Sequence, residues 1–172
     1  MKKFFFLSLF LFSAFVPAAM AYEGSWFAAG TSYENLASGI TENGLSFTME
    51  GGYWYLGNIA YGGYFKTASF GEIDGRAGSS LKTHELGVFW KAASEAGLYG
   101  KVIAGLAFVN ANGNNAGLRI GDGTSLSLGL GGGFLFPISE SFHIGPEVIY
   151  RHLTARNGGD QISIGGLVAY SF

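Results

Sequence analysis

His152 and Thr154 stand two positions apart near the end of the sequence, and Asp160 is the only carboxylate that follows them. A hydroxyl within reach of a histidine is the minimum for nucleophilic acyl hydrolysis, so these two residues form the candidate catalytic pair. The three histidines, His84, His143 and His152, have no metal-ligand spacing. The chain has no cysteine, which excludes disulfides and cysteine–metal sites. No metal and no cofactor is expected. The glycine-rich stretch from Gly129 to Gly133 is not followed by a Lys-Ser/Thr pair, so it does not read as a phosphate cradle. A second group of residues able to do chemistry is Glu50, Lys66, Glu85, Lys101, Glu147 and Arg151, three acids and three bases set within otherwise apolar or small-residue segments. As a site they would form an ion path or an acid/base centre; as structure, a salt-bridge network.

The elements that hold these residues have a period of two. From Gln161 to Phe172, Ile162, Ile164, Gly166, Val168, Tyr170 and Phe172 alternate with Gln161, Ser163, Gly165, Leu167, Ala169 and Ser171. That is a strand with one apolar and one small or polar face. Seven further segments alternate in the same way: Ser25 to Tyr33, Leu45 to Tyr55, Ile59 to Phe70, Leu81 to Trp90, Gly97 to Val109, Ser125 to Phe134 and Phe142 to Leu153. Each is about nine to twelve residues long, the length of a tilted membrane-crossing strand. The six charged residues fall on the small or polar faces. Phe47, Trp90, Leu128, Tyr150 and Phe172 fall on the apolar ones.

Composition agrees with strands that face lipid. The chain is 48% hydrophobic, 13% charged and 16% aromatic, with 29 glycines and a mean hydropathy of +0.27, whereas soluble domains carry about 25% charged residues. No segment after the amino-terminal apolar run approaches the 18 or so apolar residues of a membrane helix. A net charge of −2 does not suggest a nucleic-acid partner. At the amino terminus, Lys2 and Lys3 precede an apolar run from Phe4 to Val16, and Ala19-Met20-Ala21 supplies a small-x-small cleavage pattern. A signal peptide over residues 1–21 and a mature chain from Tyr22 are expected.

Short connections (Leu56 to Asn58, Lys91 to Ala96, Pro137 to Ser141) alternate with longer ones (Glu34 to Gly44, Gly71 to Ser80, Asn110 to Gly123, Thr154 to Asp160). In an even-stranded barrel these are periplasmic turns and outer loops. The expected fold is all-β: an eight-stranded antiparallel up-and-down transmembrane β-barrel over residues 22–172. Eight strands leave an interior just wide enough for side chains. Charges there must pair, and adjacent strands suggest Glu50 with Lys66 and Glu85 with Lys101, in one belt that plugs the lumen. The glycines would relieve crowding inside.

The signal sequence, eight strands, short–long connections and aromatic ending resemble the OmpA/OmpX-type small outer-membrane barrels. The stretch from Phe136 to Arg151 is similar to the turn and strand before the last hairpin in that group. The resemblance implies an outer-membrane protein with a structural or surface-interaction role, in contact with outer-membrane lipids and lipopolysaccharide, and monomeric. It also implies that Tyr170 and Phe172 belong to the signal read by the barrel-assembly machinery. A second resemblance, to lipid A deacylases of the PagL type, rests on Arg151-His152-Leu153-Thr154 near the end of the penultimate strand. There Thr154 stands in place of the motif's serine, Ala155 in place of its asparagine, and no glutamate follows. Arg76, Arg119 and Arg156, one in each of three outer loops beside Asp74, Asp122 and Asp160, read as solvated loop charges with a secondary reading as lipopolysaccharide phosphate contacts. The competing fold, a soluble exported lipocalin-type barrel, would turn the aromatic set inward.

Overall fold

A computed structural model describes residues 24–36, 41, 43–55, 57–73, 77–112, 123–154 and 159–172. Eight long antiparallel strands carry the fold: β1 (Gly24–Leu36), β2 (Gly44–Tyr55), β3 (Ile59–Phe70), β4 (Ser80–Ala93), β5 (Leu98–Asn112), β6 (Gly123–Phe134), β8 (Phe142–Leu153) and β9 (Asp160–Ser171). A two-residue strand, β7 (Phe136–Pro137), continues the line of β6. Each long strand pairs with the next, β6 pairs with β8, and β9 returns to β1. The sheet therefore closes and has no free edge, the condition for a strand protein to satisfy its backbone in lipid. The expected signal segment, residues 1–21, lies outside the described residues, as do Asp74, Arg76, Arg119, Asp122, Ala155 and Arg156.

Closure turns the alternation into an inside and an outside. Phe47, Trp90, Leu128, Tyr150 and Phe172 face outward and are exposed, while Glu50 and Lys101 are buried. This is the polarity of a membrane barrel and the reverse of a lipocalin-type interior. On the outer wall, aromatics gather at the short-turn end, where Phe142 meets Tyr170 edge-on at 5.1 Å and Tyr170 stacks on Phe172 at 6.0 Å. Two of the short turns contain glycines with positive φ, Gly57 at 72° and Gly97 at 88°, a conformation that side chains disfavour.

The ladder between β6 and β8 lapses once. Gly133 pairs with Glu147 and Phe136 with Ile144, but Phe134 and Leu135, which come opposite Pro146 and Gly145, make no ladder contact. Proline has no amide to donate. The Leu135 amide donates instead to the Gly97 carbonyl at 2.9 Å, and the Leu135 side chain joins the core. The backbone approaches so closely there that a Cβ on Gly145 would collide with the Phe134 carbonyl oxygen.

Glycines also make room for the interior aromatics. A Cβ on Gly105 would meet the Tyr64 hydroxyl at 2.7 Å, and one on Gly133 the Tyr99 hydroxyl at 2.7 Å. The two tyrosines lie across small residues because a cylinder this narrow has no other space for them. Gly105→Val is therefore expected to destabilise the barrel by about 1–3 kcal/mol through overpacking, measured by urea unfolding in micelles. Gly100→Val is expected to leave stability unchanged, since a Cβ there meets nothing within 4 Å.

Candidate functional site

The interior is layered along its axis. At the short-turn end lies an apolar floor of Trp26, Trp54, Ala60, Phe89, Ala93 and Leu135, with Trp26 at 6.0 Å from Trp54 and 5.6 Å from Phe89. At the long-loop end lies an apolar ceiling of Leu36, Ala68, Phe70, Ile73, Leu81 and Ala111. Ile73 is held there by its amide, which donates to the Ser79 hydroxyl oxygen at 2.8 Å, and by a bridge to Thr41. The charged residues sit between floor and ceiling.

They fall into two groups. In the group nearer the floor, Glu50 receives Lys91 on one oxygen and Lys101 on the other, each at 2.7 Å. Lys101 also reaches Glu147 at 2.6 Å, which accepts the Tyr99 hydroxyl at 2.9 Å. The Lys91 ammonium lies 4.0 Å from the Trp26 ring centroid and 4.7 Å from that of Tyr99, a cation–π setting worth more when dry. In the group nearer the ceiling, Lys66 pairs with Glu34 at 2.9 Å and Arg151 with Glu85 at 3.5 Å. Ser163 joins the two pairs: it donates to Glu34 at 2.7 Å and accepts from Arg151 at 2.6 Å. Ser46 donates to Glu34 and Tyr64 to Glu85. Each group holds two acids and two bases, so each is neutral in itself. A cavity of about 10 Å³ lined by Ser32, Thr48, Glu50 and Glu147 has room for about one water.

Glu50, Lys66, Glu85, Lys101, Glu147 and Arg151 all face inward, but the expected partners and the single belt are corrected. Glu85 lies opposite Ala107 and Lys101 opposite Lys91, so Glu85 and Lys101 are separated by six residues of register, about 20 Å. Glu50 lies opposite Tyr64 and Lys66 opposite Thr48. The long side chains reach across the lumen: Lys66 on β3 to Glu34 on β1, Glu50 on β2 to β4 and β5, and Glu85 on β4 to Arg151 on β8. Glu34 and Lys91, read from sequence as loop and turn residues, are strand residues that are 0% and 1% exposed. Their signal was their place in the alternation, Glu34 two residues before Leu36 and Lys91 two after Phe89.

His152 and Thr154 do share the outer rim, both exposed, but they are not brought together as nucleophile and base. The His152 Nδ1 is 2.8 Å from Asp160, while the Thr154 hydroxyl donates to the Leu126 carbonyl at 3.3 Å. His84 stacks on Phe65 on the outer wall and His143 is buried inside. Among the described residues no three of His, Asp and Glu gather in a way that would hold a metal.

Glu50 separates two lysines that stand directly opposite each other on β4 and β5, an arrangement that is destabilising without an intervening anion. Glu50→Gln is expected to cost about 3–5 kcal/mol of unfolding free energy by leaving buried charge uncompensated, against less than about 0.5 kcal/mol for Glu140→Gln in an exposed turn. Denaturant unfolding of the two variants in the same detergent measures both.

No family model matches the sequence, and no curated protein does. Solved structures do. Neisserial surface protein A (NspA) aligns at 14% identity over 86% of this chain and 96% of its own, with a TM-score of 0.59. Ail, the attachment invasion locus protein of Yersinia pestis, in complex with the heparin analogue sucrose octasulfate, aligns at 17% over 87% and 98%, with a TM-score of 0.56. The amino-terminal β-barrel domain of Pseudomonas aeruginosa OprF aligns at 14% over 86% and 98%, with a TM-score of 0.54. Identities this low speak to architecture, and the architecture is that of the small eight-stranded transmembrane barrels of outer membranes.

Proposed function

We propose that this chain is an integral outer-membrane barrel of structural or surface-interaction role, exported by a cleaved signal peptide, with a lumen closed by its own side chains. The observation that carries this reading is the inverted polarity of the wall: exposed Trp90, Leu128 and Phe172 outside, ion-paired Glu50 and Lys101 inside. Apolar floor and ceiling on either side of two neutral charged groups support a plug in preference to a conducting pore. Tyr170 and Phe172 supply the terminal aromatic signal for the assembly machinery, and the monomer sits among outer-membrane lipids and lipopolysaccharide. The outer loops present the surface for a partner; the complex of Ail with a sulfated sugar is in keeping with such a role for a barrel of this fold.

The expressed protein is expected to remain with the outer-membrane fraction, to require detergent for extraction, and to migrate differently on a gel before and after boiling. Planar bilayers containing it are expected to show no steady conductance. A protein soluble without detergent, or an open channel of stable size, overturns the reading.

A lipid A acyl hydrolase at His152 and Thr154 is the other reading, favoured by the His152–Asp160 pair at 2.8 Å and disfavoured by the Thr154 hydroxyl, which is committed to the Leu126 carbonyl. Incubation of the folded protein with lipid A is expected to release no fatty acid. Release that disappears in His152→Ala would instead establish the enzyme.

A further inference from the structure

The outer wall around β2, β3 and β4 carries two independent features. The first is a shallow groove of about 510 Å³ lined by Phe27, Met49, Gly51, Gly63, Phe65 and Leu86. Gly51 and Gly63 are directly paired across β2 and β3 and form its floor. The flanking Met49 and Phe65 are also paired, and Phe65 pairs onward with Leu86. The second is charge. Among the described residues, Lys82 is the only lysine or arginine on the outer wall, because Lys66, Lys91, Lys101 and Arg151 are all buried inside.

These two features lie along one line of the wall. Successive outward rungs read Gly51–Gly63–Val88, Met49–Phe65–Leu86, Phe47–Thr67–His84 and Leu45–Ser69–Lys82. The groove stops at the Met49–Phe65–Leu86 rung. Beyond it toward the long-loop end His84 stacks on Phe65 with ring centroids 6.5 Å apart, and Lys82, flanked by Ser69 and Asn110, stands two rungs past Leu86. Six residues separate Lys82 from Val88 at the level of the glycines, about 20 Å along a strand. With strands tilted by about 45° that is about 14 Å along the membrane normal, close to half of a hydrocarbon core of about 30 Å. A lysine at the hydrocarbon boundary draws anionic headgroups, and an acyl chain descending the wall from such a headgroup reaches the depression over Gly51 and Gly63.

We propose that this wall binds a single phosphorylated lipid of the leaflet at the long-loop end, its phosphate on Lys82 and one acyl chain in the groove over Gly51 and Gly63. The proposal rests on the outer-membrane reading above. Uncharged lipid lacks the attraction at Lys82, and a free phosphate lacks the groove.

The test uses the full chain folded in non-ionic detergent, with lipid A as probe and native mass spectrometry as readout. One lipid A per barrel is expected. Lys82→Ala and Gly63→Leu are each expected to weaken its retention about tenfold. A Cβ at Gly63 meets only the Gly87 carbonyl, at an ordinary 3.5 Å, so the second variant keeps the fold. Gly166→Leu, on the outer wall of β9, is expected to bind like the unaltered protein, and millimolar inorganic phosphate is expected not to displace the lipid. Unchanged binding in both groove variants overturns the site. So does an equal loss in Gly166→Leu, which marks nonspecific annular lipid. Displacement by phosphate alone reduces it to an anion site, and a dimer abolished by Gly63→Leu assigns the groove to a second copy. The heat-dependent gel shift of each protein separates these outcomes from failure of the outer-membrane reading, which would remove the shift from the unaltered chain.

Discussion

Closing eight strands edge to edge leaves the sheet without a free edge, and it also confines whatever points inward to a narrow cylinder. Both halves of that constraint are visible in the residues chosen. The interior cannot be filled by large side chains on every rung, so Tyr64 and Tyr99 lie across glycines. It cannot leave a charge unpaired, so each acid has a base. Since the strands are joined into a ring, partners are found across the lumen more readily than between neighbours.

The ordering of layers follows from the same confinement. Buried ion pairs lose their hydration and recover it only through close, well-directed partners. The Trp26 and Phe89 floor and the Phe70 and Ile73 ceiling bracket those partners with apolar side chains. The Trp26 ring serves twice, as floor and as the π face beneath Lys91. Serine is used sparingly but effectively: one hydroxyl, that of Ser163, links two ion pairs that approach from different sides of the ring.

Much of this is legible from the amino acids in order. The face of Phe47 against Glu50, or of Trp90 against Phe89, follows from period-two alternation, which does not depend on knowing what lies across the barrel. The bounds of Ile59–Phe70 and Phe142–Leu153 are readable because turn residues or a change of pattern flank them. Glu34 and Lys91 escape such a reading because a charge at the end of an apolar segment looks the same whether it enters a loop or the lumen. The ion-pair partners escape it for a different reason. Lys66 faces Glu85 directly across β3 and β4, yet its ammonium goes to Glu34, a choice set by the width and stagger of the closed ring. The lapse at Pro146 is likewise a matter of register: the missing amide is plain from the residue type, but the carbonyl left opposite it is identified only once β6 and β8 are aligned.

The facing of Lys91 and Lys101 bears on how the ring comes together. These residues meet on a hairpin, β4–β5, whose strands are consecutive and whose turn is short, the kind of unit that ordinarily forms early and locally. Two like charges directly across from each other weigh against that hairpin in isolation. The anion that reconciles them arrives from β2, two strands earlier in the chain. Local pairing is thereby weakened until β2 brings Glu50 between the two ammonium groups, so that the hairpin gains its full stability only with the closed ring.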